Sequence, residues 1–124
     1  MPSPQEQLRA RTKEFALAVI RLTRNLPNNP EGWVLGKQLL RSGTSVAANY
    51  RAAGRARSRA EFAARIGVVV EEADETVFWL EMLELAGLAH RDLLHPLLTE
   101  GNELLKIFSA SFQTASAKAG TTAD

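Results

Sequence analysis

Residues 39–62 read LLRSGTSVAANYRAAGRARSRAEF, and the way this stretch divides decides the fold. Leu39, Ser42, Val46, Asn49 and Ala53 recur at spacings of three and four, which draws one stripe along a helix. Gly54-Arg55-Ala56-Arg57 breaks that period, and glycine is a common helix terminator. Ser58-Arg59-Ala60-Glu61 then reads as a capping box, in which the serine hydroxyl takes an orphan amide and the glutamate reaches back. The stretch is therefore a helix end, a short basic turn and a helix start.

Working outward, the stripe continues backward to Leu35, so the second helix runs over about 31–55. Two of its six seam positions, Ser42 and Asn49, are polar. An unpaired buried amide costs on the order of 1–3 kcal/mol, so a hydrogen-bonded polar seam is expected, built from Ser42, Ser45, Asn49, Glu72 and Glu75. The third helix should run over about 58–86 and stop at Gly87, with Phe62, Ile66, Val69, Ala73, Thr76, Leu80 and Leu83 as its stripe. Val70, Phe78, Trp79, Met82 and Leu85 widen that apolar surface beyond one core face. A large apolar patch of this kind marks an interface, and the expectation is self-association.

The first helix spans about 3–26, with Leu8, Thr12, Phe15, Val19, Leu22 and Leu26 in register, and the run Pro27-Asn28-Asn29-Pro30 stops it. The fourth spans about 91–117, with Pro96 tolerated in a first turn that has no internal amide bonds to lose. A frayed tail over 118–124 is expected to follow. Four helices joined by short connections predict a single all-α domain, an antiparallel up-down four-helix bundle. Folding the second and third helices back about residue 57 sets Lys37 and Arg41 beside Glu72 and Glu75, and Ala47 opposite Gly67.

Composition bounds the chemistry. The chain of 124 residues carries a formal net charge of +1 and no cysteine, which excludes disulfides, thiolate metal sites and cysteine nucleophiles. Its start lacks the apolar core of a signal peptide and no run approaches a membrane span, so a cytoplasmic protein without membrane contact is expected. The charge is uneven: residues 1–65 carry 12 Lys and Arg against 4 Asp and Glu, and residues 66–124 carry 3 against 10. Such a split either creates a field on one face or pairs a basic half with its acidic complement.

Arg51, Arg55, Arg57, Arg59 and Arg65 surround the turn. Guanidinium groups hold phosphates through forked hydrogen bonds, which makes this run a candidate contact for RNA or DNA. The plainer reading is a solvated turn paired with the acidic third helix. Glu71, Glu72, Asp74 and Glu75 lack the Glu-x-x-His pattern of di-iron bundles, so no metal or cofactor is expected. His90 and His95 read as surface residues, and Ser42, Ser45 and Ser58 lack a nucleophile elbow. Gly32-Trp33-Val34-Leu35-Gly36-Lys37 is one residue short of a phosphate loop and has no preceding strand. Trp33 and Trp79 read as core or subunit contacts.

Residues 38–84 resemble the four-helix-bundle family named after the 23S rRNA intervening-sequence protein. The resemblance rests on Gln38, Leu39, Arg41, Ser42, Ser45, Ala48, Asn49, the run Arg57 to Phe62, Glu72-Ala73-Asp74-Glu75 and Trp79-Leu80. It implies a cytosolic bacterial bundle, often a homopentamer, with no established enzyme activity. The chain is also similar to the accessory variability proteins of diversity-generating retroelements, basic pentamers that bind nucleic acid and a reverse transcriptase, and departs from them in its near-neutral charge. The expected function is a non-enzymatic homo-oligomeric interaction protein contacting RNA or DNA through the basic turn. The alternative is an adaptor for a protein partner, such as a reverse transcriptase, without direct nucleic-acid binding.

Overall fold

Each helix begins where a side chain can take its orphan amides. The computed structural model describes residues 1–121, in which α1 is Pro4–Thr23, α2 Pro30–Ala53, α3 Arg59–Leu85 and α4 Arg91–Thr121. Ser3, Asn29 and Ser58 cap the first three, accepting from Glu6 N at 3.1 Å, Gly32 N at 2.8 Å and Glu61 N at 3.0 Å. Such caps each contribute about 1 kcal/mol. Pro4 and Pro30 follow directly, where a missing N–H costs nothing. At α4 a histidine does the same work: His90 Nδ1 accepts from Asp92 N at 3.1 Å.

The helix ends differ in kind. Gly87 is left-handed, with φ 69°, and the chain closes in a Schellman motif: Leu88 N donates to Leu83 O and Gly87 N to Glu84 O. Gly54 is instead right-handed, with φ −65°, so α2 unwinds through tight bonds from Arg55 N to Ala52 O and Ala56 N to Ala53 O. The capping box at Ser58 is half formed, because the Glu61 carboxylate turns to Arg57 at 3.8 Å. Pro96 is the sixth residue of α4, not part of its first turn. It leaves a carbonyl of the exposed N-terminal turn for water to satisfy. The helix continues to Thr121 through a stretch expected to fray; residues 122–124 lie outside the described residues.

The four helices form an up-down bundle in which each packs on its chain neighbours and α4 closes on α1 along the shortest seam. That seam carries a forked pair, Arg11 Nε and Nη2 to the two carboxylate oxygens of Glu100, both at 2.7 Å. The core joins Phe15, Val19 and Leu22 to Leu39, Val46 and Tyr50, with Ile66, Leu80 and Leu83 from α3 and Leu94, Leu104 and Phe108 from α4. Its buried hydroxyls are satisfied locally: Thr12 donates to Arg9 O, Ser42 to Leu39 O and Thr76 to Glu72 O.

The α2–α3 register is set by Arg41, which donates to Glu72 Oε2 at 3.1 Å and also to Glu75. Trp79 Nε1 reaches the same Glu75 carboxylate at 3.2 Å. Gly67, expected opposite Ala47, faces Phe112 of α4. The hydrogen bond from Arg41, followed by that from Trp79, holds the Glu75 carboxyl below its ordinary pKa. A depressed carboxylate contributes stability present above the unfolded pKa and lost as pH falls through the lowered folded value. Urea midpoints should therefore fall as pH drops below the ordinary carboxylate range, and Glu75→Gln should flatten part of that slope. Identical pH profiles for the two proteins would refute the assignment.

Candidate nucleic-acid interface

The last turn of α2, the turn after it and the first turns of α3 bring the five arginines to one end of the bundle, all of them exposed. They do not form one cluster. Arg51, Arg55, Arg57 and Arg65 line an open cleft of about 640 Å³ between α2 and α3, floored by Ala48 and Ala52. Arg59 turns the other way, into a groove between α3 and α4 that it shares with Arg57. Among the described residues the single carboxylate lining the first cleft is Glu61. Its pair with Arg57 is long, and that arginine side chain is 90% exposed, so the pair contributes little.

Two basic residues absent from the sequence expectation join the site. Arg9 and Lys13 of α1 line a second cleft with Ala47, Arg51, Gly54 and Arg55, and the Arg9 guanidinium lies 3.6 Å from where a Gly54 Cβ would stand. Arg51 and Arg55 thus belong to both clefts, one on each side of α2. The small residues Ala47, Ala48, Ala52 and Gly54 keep both floors low, so a ligand spanning the two clefts meets cations from three helices. Cations at a helix C-terminus also complement its dipole, a purely structural reason for Arg51. Finding Arg9 and Lys13 from sequence needs the rotation of α1 against α2, which no local pattern encodes.

The expected polar seam is present as positions but not as a network. Ser42 is fully buried and bonds its own helix. Asn49 is half-buried and donates to Ser45 O at 2.9 Å, again within α2. Glu72 and Glu75 do cross to the neighbouring helix, through Arg41. A helix carbonyl four residues back is always within reach of an asparagine, so local satisfaction replaces the partner expected from α3.

The apolar surface of α3 is narrower than its sequence suggests. Val70 and Trp79 pack against the core. Phe78 is 49% and Leu85 80% exposed, with Met82 half-buried between them in sequence. Phe78 meets Trp79 edge-on, ring centroids 4.9 Å apart. Trp33 of α2 is 59% exposed, its indole N–H held by Asn28 Oδ1 at 2.7 Å. Among the described residues no group of three or more His, Asp or Glu is placed to hold a metal, and no helix is long and apolar enough to cross a membrane.

No curated protein matches the chain. A solved structure, described as a protein with unknown function from the S23 ribosomal protein family of Bacteroides thetaiotaomicron VPI-5482, is 34% identical, with a TM-score of 0.78. The match covers 84% of this chain and 96% of that one. The family model for the 23S rRNA-intervening sequence protein matches residues 6–110, which takes in all of α2 and α3 and most of the outer two helices. With its fold, its paired central helices and this match in agreement, the chain belongs to the 23S rRNA-intervening sequence protein family.

Proposed function

We propose that this chain is a self-associating, non-catalytic module that holds the phosphates of RNA or DNA across the end of α2. The observation that carries the reading is the pair of clefts sharing Arg51 and Arg55, which draw Arg9, Lys13, Arg57 and Arg65 together with, among the described residues, one carboxylate between them. Solvated guanidinium groups over alanine and glycine floors suit a backbone that is gripped by charge and shape rather than read by sequence. Repetition of this end around a homo-oligomer multiplies the contact. Phe78, Met82 and Leu85 supply the self-association surface, supported by the exposure of Phe78 and Leu85 on a helix whose opposite face is fully buried in the core.

The test has two arms. Binding of labelled RNA should weaken with salt, log K falling by about 0.7 per tenfold rise in salt for each single-strand phosphate contacted. Arg51→Glu with Arg55→Glu, both on exposed positions, should lower affinity at least about tenfold and flatten that slope. Equal binding by parent and variant would remove the phosphate assignment. Light scattering should find an oligomer at tens of micromolar that Phe78→Glu with Leu85→Glu dissociates. A monomeric parent would instead favour the Phe78–Leu85 surface as a docking face for a different protein.

A further inference from the structure

Arg57 looks two ways. On the flank facing away from α2, the start of α3 and the end of α4 leave a groove of about 810 Å³, a volume in the range of small-ligand sites, roughly 300–1,000 Å³. Its floor is aromatic and small: Phe62 with Ala56, Ala110 and Ala115. Its walls carry the hydroxyls of Ser111 and Thr114, and its rim carries Arg57, Arg59 and Lys118. Among the described residues the charged groups lining it are Arg57, Arg59 and Lys118. Inorganic phosphate has no use for the aromatic floor, and an aliphatic acid has none for the hydroxyl walls. A flat heterocycle bearing a phosphate uses all three features: the ring on Phe62, hydrogen bonds from its edge, and the anion on the rim.

We propose that this groove takes one nucleotide, its base against Phe62, its edge toward Ser111 and Thr114, and its phosphate among Arg57, Arg59 and Lys118. In its strand form the inference rests on the nucleic-acid reading above, the nucleotide being an unpaired residue of a chain that continues across Arg57 onto Arg51 and Arg55. A base locked in a duplex cannot enter, so the groove selects single strands. A free nucleotide offers the same chemistry, and the test separates the two sources.

Fluorescence anisotropy on the full chain would use a labelled single-stranded oligo(A), the same strand as a duplex, and labelled ATP. Phe62→Ala removes the stacking face. Since Phe62 also packs against the core, Ala110→Leu with Thr114→Leu provides a second variant, filling the groove from exposed positions of α4. The parent should prefer the single strand about tenfold, and both variants should lose about tenfold or more of that affinity. Duplex binding and its salt slope should stay unchanged. Arg51→Glu with Arg55→Glu should weaken strand and duplex alike.

Saturable ATP binding that the groove-filling variant abolishes, with no strand binding, would uphold the groove and identify the free nucleotide as its ligand, overturning the strand form. Single-strand and ATP binding that survives groove filling would overturn the groove and leave the Arg51–Arg55 reading standing. A parent that retains none of the three probes would overturn both.

Discussion

Truncation of Phe108 to alanine is expected to destabilise the protein by about 3–5 kcal/mol, a large part of the roughly 5–15 kcal/mol of a typical domain. Phe108 is fully buried, and its ring meets that of Tyr50 at a centroid distance of 5.1 Å and an angle of 46°. The pair joins α4 to α2, helices that face each other across the bundle and whose backbones make no close approach. Only long side chains bridge that diagonal, so an alanine leaves a void that a close-packed core is poorly placed to close. Urea unfolding should show a lower midpoint with an unchanged slope. Phe112→Ala, at a position 37% exposed, should cost far less. Equal costs for the two would mean the core at Phe108 relaxes freely.

Gly32→Ala should be nearly as damaging, against the sign of helix propensity. Gly32 lies in the first turn of α2, where propensity alone favours alanine by about 1 kcal/mol. A Cβ there would stand 2.0 Å from the carbonyl oxygen of Pro27 and 3.3 Å from Asn29 Oδ1. The first contact is backbone, in a loop whose own turn places Asn29 N on that Pro27 oxygen at 3.0 Å. Relief requires opening the α1–α2 corner and disturbing the Asn29 cap. The net cost is expected to be about 3 kcal/mol, a fall in melting temperature of roughly 10–15 °C. Gly120→Ala, with nothing among the described residues within 4 Å of its Cβ position, is the control and should leave the melting temperature level or slightly raised. A neutral Gly32→Ala would show that the corner adapts.

The central pair of helices was the most legible part. The serine cap at Ser58 and the crossing of Arg41 to Glu72 and Glu75 appear as the spacing implied. Both depend on residues close in sequence or on the fold-back of two consecutive helices, so a short connection carries the information. Asn49 shows where that logic stops. Its seam position was readable, but its partner was not, because a side-chain amide can be satisfied inside its own helix as well as across a seam. Trp79 shows the same limit from the apolar side: its indole is turned by Glu75 of the previous turn and its ring lies partly on the core, which periodicity cannot distinguish from an outward stripe.

The candidate site divides along the same line. That arginines gather about residue 57 is a property of the chain itself. That Arg59 parts from the others into the α3–α4 groove, that Arg9 and Lys13 arrive from α1, and that Phe62 floors a groove with Ser111 and Thr114 are all consequences of how the helices rotate about their axes. Caps, turns and apolar period are local and need only neighbours a few residues away, so the primary sequence by itself determined the four helices, their order and the basic turn. Which side chains from different helices share a cleft is decided by interlocking of the core, where a rotation of one helix moves every outward residue to a new neighbour, and only the packed bundle settles that.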